Sequence, residues 1–152
     1  MLHRDFRELL SAFSDAEVEY LLVGAYALAA HGFVRATNDL VLWVRPSPEN
    51  ARRVHGALLA FGAPNDRFSI QDFVQPDMVV QLGVPPARID ILTSISGVDF
   101  TAAWNARQSI DLDGITVPAL CLAHMTANKR ASGRDQDMLD LKWIERNDKI
   151  GD

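Results

Sequence analysis

The sequence predicts a single α/β domain over residues 1–152, and three observations point to that class. Short apolar runs of strand length alternate with segments whose apolar residues recur at helical spacing. Glycine or proline punctuates most of the junctions, and no repeat, linker or low-complexity tract interrupts the order. A chain of 152 residues, 48% hydrophobic and 23% charged, buries roughly 68–70% of its unfolded surface, enough for a core without disulfides or structural metal.

Phe6, Leu9, Leu10 and Phe13 fall at i, i+3, i+4 and i+7, with Arg4, Arg7 and Glu8 on the other face, and predict an amphipathic first helix. Tyr20-Leu21-Leu22-Val23 reads as a buried strand, Gly24 as a strand-to-helix turn, and alanine-rich Ala25–Ala30 as a helix packed closely on that strand. Asp39–Val44 is a second strand, closed by Pro46. Ser47 and Pro48 then supply an N-cap and a first-position proline for a helix with Ala51, Val54, Leu58 and Phe61 inside and Gly62 at its end. Between Pro64 and Pro86 the pattern is weaker, although Met78–Leu82 suits an edge or hairpin strand bounded by Gly83 and Pro85-Pro86. Arg88–Leu92 alternates polar and apolar residues as a half-buried strand does. Ser109–Leu112 and Ile115–Val117 flank Asp113-Gly114, a hairpin signal. From Pro118 the pattern turns helical to about Ala131, breaks at Ser132-Gly133, and resumes in a last helix expected to turn Met138, Leu141 and Ile144 inward.

A formal charge of −5 argues against binding nucleic acid or anionic membrane by bulk charge, and makes long RNA the least expected partner. The lone cysteine, Cys121, leaves no disulfide framework or thiolate zinc site, as in a reducing compartment, so a cytoplasmic location is expected. The longest apolar stretch, Tyr20–Ala30, has eleven residues, well short of the ~20 that span a bilayer, and no signal peptide or anchor is read at the charged N-terminus.

Three features carry chemistry. At Gly24-Ala25 a residue without a side chain opens a new helix, which lets the backbone approach a phosphate; alone, the pair marks only a tight turn. Asp39 and Asp90 stand in strands among apolar neighbours, where a carboxylate needs a cation or strong donors, through metal coordination or by capping a loop. Asn128-Lys129-Arg130-Ala131-Ser132-Gly133-Arg134 joins a basic helix end to a helix bearing Asp135, Asp137 and Asp140. Lys129 and Arg134 there suit a triphosphate, or complement the helix dipoles on a solvated surface. His31 is expected to cap a helix end, His124 to pack, and Trp43, Trp104 and Trp143 to serve core or interface.

Val23-Gly24-Ala25-Tyr26-Ala27, then Arg35-Ala36-Thr37-Asn38-Asp39-Leu40, then Ile89-Asp90-Ile91 and the Asn128–Arg134 segment with Asp137 and Asp140, resembles the DNA polymerase beta-like nucleotidyltransferase superfamily. Within it the order is similar to small stand-alone prokaryotic members, including those of toxin–antitoxin and abortive-infection modules and those that adenylylate antibiotics. The resemblance runs from about Tyr20 to Ile144. It implies the nucleotidyltransferase fold, a short mixed sheet with flanking helices and further helices at the C-terminus. It also implies transfer of a nucleoside monophosphate from a nucleoside triphosphate, ATP first among them, to a hydroxyl of tRNA, protein or a small molecule. By the same resemblance Asp39 and Asp90 are catalytic and hold Mg2+ or Mn2+, while Gly24, Ala25, Thr37, Lys129 and Arg134 bind the nucleotide.

One position departs from that pattern. The superfamily places a second metal-binding aspartate two residues after the first, so that both point to one face of the strand; here that residue is Val41, which offers a hard cation no lone pair. Three accounts stay open: a pseudoenzyme that keeps the fold for binding, such as an antitoxin-like partner of another protein; an Asp-to-Val variant of an active enzyme; or a site completed by a remote carboxylate, Asp99 or Asp137.

Overall fold

The computed structural model describes residues 2–151; residues 1 and 152 of the expected domain lie outside the described residues. Among the described residues six strands, β1 (Tyr20–Val23), β2 (Asp39–Val44), β3 (Val79–Leu82), β4 (Arg88–Leu92), β5 (Gln108–Leu112) and β6 (Ile115–Ala119), form one mixed sheet in the order β3-β4-β2-β1-β6-β5. β1 runs antiparallel to β2 and parallel to β6, β2 runs parallel to β4, and β3 and β5 close the edges as antiparallel neighbours. This is the short mixed sheet that the fold class predicts.

The helices are α1 (Arg4–Asp15), α2 (Gly24–Ala30), α3 (Pro48–Phe61), α4 (Phe100–Asn105), α5 (Leu122–Ser132) and α6 (Asp135–Gly151). Phe6, Leu9, Leu10 and Phe13 of α1 are buried, as their spacing requires, and α1 packs against α3. The Ser47 hydroxyl accepts the Asn50 N–H at the start of α3, and Gly62 ends that helix in the left-handed region. Trp43 is buried with its ring edge-on to Phe100, and Trp143 lies edge-on to Phe33. His31 occupies the C-cap position of α2, where its ring Nε2–H donates to the Leu120 carbonyl at 3.0 Å.

Alternation along β2 sorts its residues. Leu40, Leu42 and Val44 are fully buried on one face; Asp39, Val41 and Trp43 share the other. Asp39 pairs with Arg88, Val41 with Asp90 and Trp43 with Leu92 across the parallel β2–β4 ladder, so these residues lie side by side on that second face.

Three expectations change. Pro118 does not open a helix but lies within β6, opposite Ser109 of β5; the ladder to β1 starts only at Ala119, so a residue without an N–H is tolerated there. Leu141 and Ile144 of α6 turn inward as expected, but Met138 does not and is 38% exposed, because Asp137 and Asp140 complete the inner stripe instead. The weakly patterned stretches hold two short elements that carry no long periodicity: a 3₁₀ turn at Ile70–Phe73 with a Ser69/Asp72 capping box, and α4, capped by the Asp99 carboxylate.

Candidate active site

The second face of β2 and β4 forms one wall of a cleft of about 600 Å³, and α5 with the start of α6 forms the other. Gly24 sits at its floor with φ +73, a conformation that favours glycine, and a Cβ there would lie 3.2 Å from the Val41 side chain. Ala25 and Thr37 line the same space. The Thr37 hydroxyl is within hydrogen-bond distance of both the N–H and the carbonyl oxygen of Asp39, which fixes the chain where it enters β2.

Asp39 and Asp90 both face the cleft, and a residue that sequence reading left out stands between them. The Arg88 guanidinium donates from Nε and Nη2 to the two oxygens of Asp90, at 3.1 and 3.0 Å, while its Nε is 3.8 Å from Asp39 Oδ1. Asp90 is 8% exposed, so this paired fork meets the need of a carboxylate drawn out of water. Hydrogen bonding to Asp90, then the charges of Asp90 and Asp39, push Arg88 above its already high ordinary range against a smaller lowering by desolvation. The signal for Arg88 was its position two residues before Asp90 in an alternating strand, which puts both on one face.

The helical wall is a second ion cluster. Lys129 is 7% exposed and donates to Asp140 at 2.9 Å, with Asp137 at 3.7 Å. Arg35, at 3.4 Å, and Gln136, at 2.9 Å, also meet Asp140, and Arg134 donates to Asp137 at 2.8 Å. Burial pushes the Asp137 carboxyl upward, but hydrogen bonds from Arg134 and Ser132 and the charges of Arg134 and Lys129 outweigh it and hold the group below its ordinary range. Lys129 and Arg134 thus line the cleft with carboxylate partners already in place. The loop after β4 closes the cleft against α5: Asn128 donates to the Ser96 carbonyl, and Gly97 meets Ala127 and Ala131 so closely that a Cβ would lie 2.5 Å from that of Ala131.

The donors present do not fit a pair of divalent ions as the chain stands. Val41 occupies the place between Asp39 and Asp90 where a third ligand would project, and both oxygens of Asp90 are held by a guanidinium. Among the described residues no group of three or more His, Cys, Asp or Glu side chains is arranged to hold a metal. Asp99 is spent on the Ala102 N–H as a helix cap, and Asp137 is spent on Arg134 and Lys129, so neither completes the set.

Comparison with protein-family models and with curated protein sequences finds no match. In three dimensions the chain is similar to the crystal structure of a candidate nucleotidyltransferase from Thermotoga maritima, with a TM-score of 0.59 and 16% identity over 97% of this chain and 88% of that one. The fold is therefore a nucleotidyltransferase fold, a mixed six-stranded sheet with flanking helices. No helix among the described residues is long and apolar enough to cross a membrane.

Proposed function

We propose that this chain receives a nucleoside triphosphate in the cleft, ATP first among them, and that its transfer of the nucleoside monophosphate to a hydroxyl acceptor is impaired as it stands. In that transfer the acceptor oxygen bonds to the α-phosphorus, the bond to pyrophosphate breaks, and the hydroxyl proton passes to a base. The observation that supports both halves is one juxtaposition. Gly24, Ala25, Thr37, Asp39, Asp90, Lys129 and Arg134 converge on a single cleft in a nucleotidyltransferase fold, and Val41 stands at its floor where a carboxylate is needed. Gly24 leaves the floor open to phosphate, Asp39 and Asp90 are the surviving acidic pair, and Lys129 and Arg134 bring positive charge to the far side. An aspartate at 41 would complete three neighbouring carboxylates, the set that suits Mg2+ or Mn2+.

The test compares the chain with its Val41→Asp variant, using α-labelled ATP, GTP, CTP and UTP, magnesium or manganese, and a host extract. We expect several orders of magnitude more labelled product from the aspartate variant, in line with several kcal/mol of transition-state stabilisation from one metal carboxylate. The labelled band then names the acceptor class: tRNA, protein or small molecule. If the variant is no more active than the chain, position 41 does not limit transfer. If neither labels any acceptor, a non-catalytic, antitoxin-like module that binds a protein partner replaces this reading.

A further inference from the structure

The strand wall already holds a cation. Arg88 projects from β4 into the cleft, 35% exposed, against two carboxylates rather than three. Its Nε and Nη2 are engaged by Asp90, whereas Nη1 makes no hydrogen bond among the described residues, and Asp39 at 3.8 Å is beyond hydrogen-bonding reach. A guanidinium has five N–H donors in a planar fork that matches phosphate oxygens, so Arg88 can take an anion without releasing Asp90.

The other cations of the cleft stand beside the carboxylates of α6. Lys129 is enclosed by Asp137 and Asp140 and is the least free, Arg35 meets Asp140 at 3.4 Å with its buried Nε unpartnered among the described residues, and Arg134 is 79% exposed and paired with Asp137. A divalent ion placed between Asp39 and Asp90 would meet the Arg88 charge at close range, while the phosphates of a nucleotide would meet it as a counterion. Valine at 41 has the same sense: packed against Gly24 and opposite Asp90, it brings no further negative charge to this part of the cleft.

We infer that the cleft takes the phosphates of its nucleotide on the Arg88 guanidinium and binds that nucleotide without a divalent metal ion. This rests on the reading of the cleft as a nucleotide site, and the experiment separates the two. ATP binding to the full chain is measured by calorimetry at low salt, in excess EDTA and again in magnesium. Comparable affinity in both buffers is expected. In EDTA, Arg88→Met should weaken binding by about tenfold to a hundredfold, the range for losing a charged hydrogen-bonding group. Because that variant strips buried Asp90 of its partner, the double variant Arg88→Met/Asp90→Asn is measured beside it. The double variant also removes a negative charge from the cleft, so weaker binding in a folded double variant is the work of the missing guanidinium. ATP binding that needs magnesium overturns the inference and leaves the nucleotide reading intact. A folded double variant that binds ATP in EDTA as well as the parent chain also overturns the inference. No ATP binding in either buffer overturns the inference together with the nucleotide reading.

Discussion

The two walls of the cleft carry similar side chains and differ in how firmly they hold them. On the helical wall the side chains of Lys129, Asp137 and Asp140 are 8, 8 and 3% exposed, and each has at least one opposite charge within reach. On the strand wall Arg88 and Asp39 keep 35 and 36% of their side-chain surface, and their mutual contact is the long one at 3.8 Å. Removing one partner from a buried pair leaves an uncompensated charge, whereas a half-exposed pair is screened and exchanges partners easily. Lys129, Asp137 and Asp140 of the helical wall are thus committed to the fold, whereas on the strand wall Arg88 is held by buried Asp90 on one side and leaves its long contact with Asp39 open to a ligand.

The comparison breaks first at Asp140. Asp140→Ala leaves Lys129 with only the longer contact to Asp137, and a loss of about 3–5 kcal/mol is expected by urea denaturation; a loss below about 1 kcal/mol would place this cluster with the surface pairs. Gly24→Ala comes next, because φ +73 and a 3.2 Å contact with Val41 both oppose a Cβ; about 1–3 kcal/mol is expected from the same measurement. Acid sharpens the contrast further. Asp137 is held below its ordinary range in the folded chain, so the unfolded chain binds the extra proton first. The stabilisation is complete above the ordinary carboxylate value and is lost as the pH falls through the lowered one. Denaturation midpoints should therefore drop on acidification, and drop less in Asp137→Asn. The smallest effect is expected for Arg134→Ala: the side chain is 79% exposed and Asp137 keeps Lys129, so the change should stay within about 1 kcal/mol.

How much of this the sequence carried depended on which signal each residue used. Strands β1, β2 and β4 and the Asp113-Gly114 hairpin were legible, because apolar runs and turn residues act locally; Asp113 and Gly114 both adopt positive φ, as that turn demands. In α6 Leu141 and Ile144 face inward as their spacing predicts and only Met138 was misplaced, because Asp137 takes the inward position in that turn and apolar periodicity cannot register a stripe that contains buried charge. The residues that line the cleft were named from their motifs, but their partners were not. Lys129 meets Asp140 only after α5 and α6 fold against each other. Arg88 was within reach of reasoning through the two-residue period of β4, had the need of a buried Asp90 for a cation been turned on its own strand.

The strand order also sets a schedule for synthesis. β1 emerges early and is buried along its length, yet its parallel partner, Ala119 of β6 beside Leu22, is made much later. At ordinary elongation rates a nascent chain would carry one edge of its most apolar strand unpaired for on the order of 5–20 s. An edge of that kind is a template for pairing with other chains. A ribosome-bound chain stopped before residue 119 is accordingly the form of this protein that most needs shielding by a chaperone.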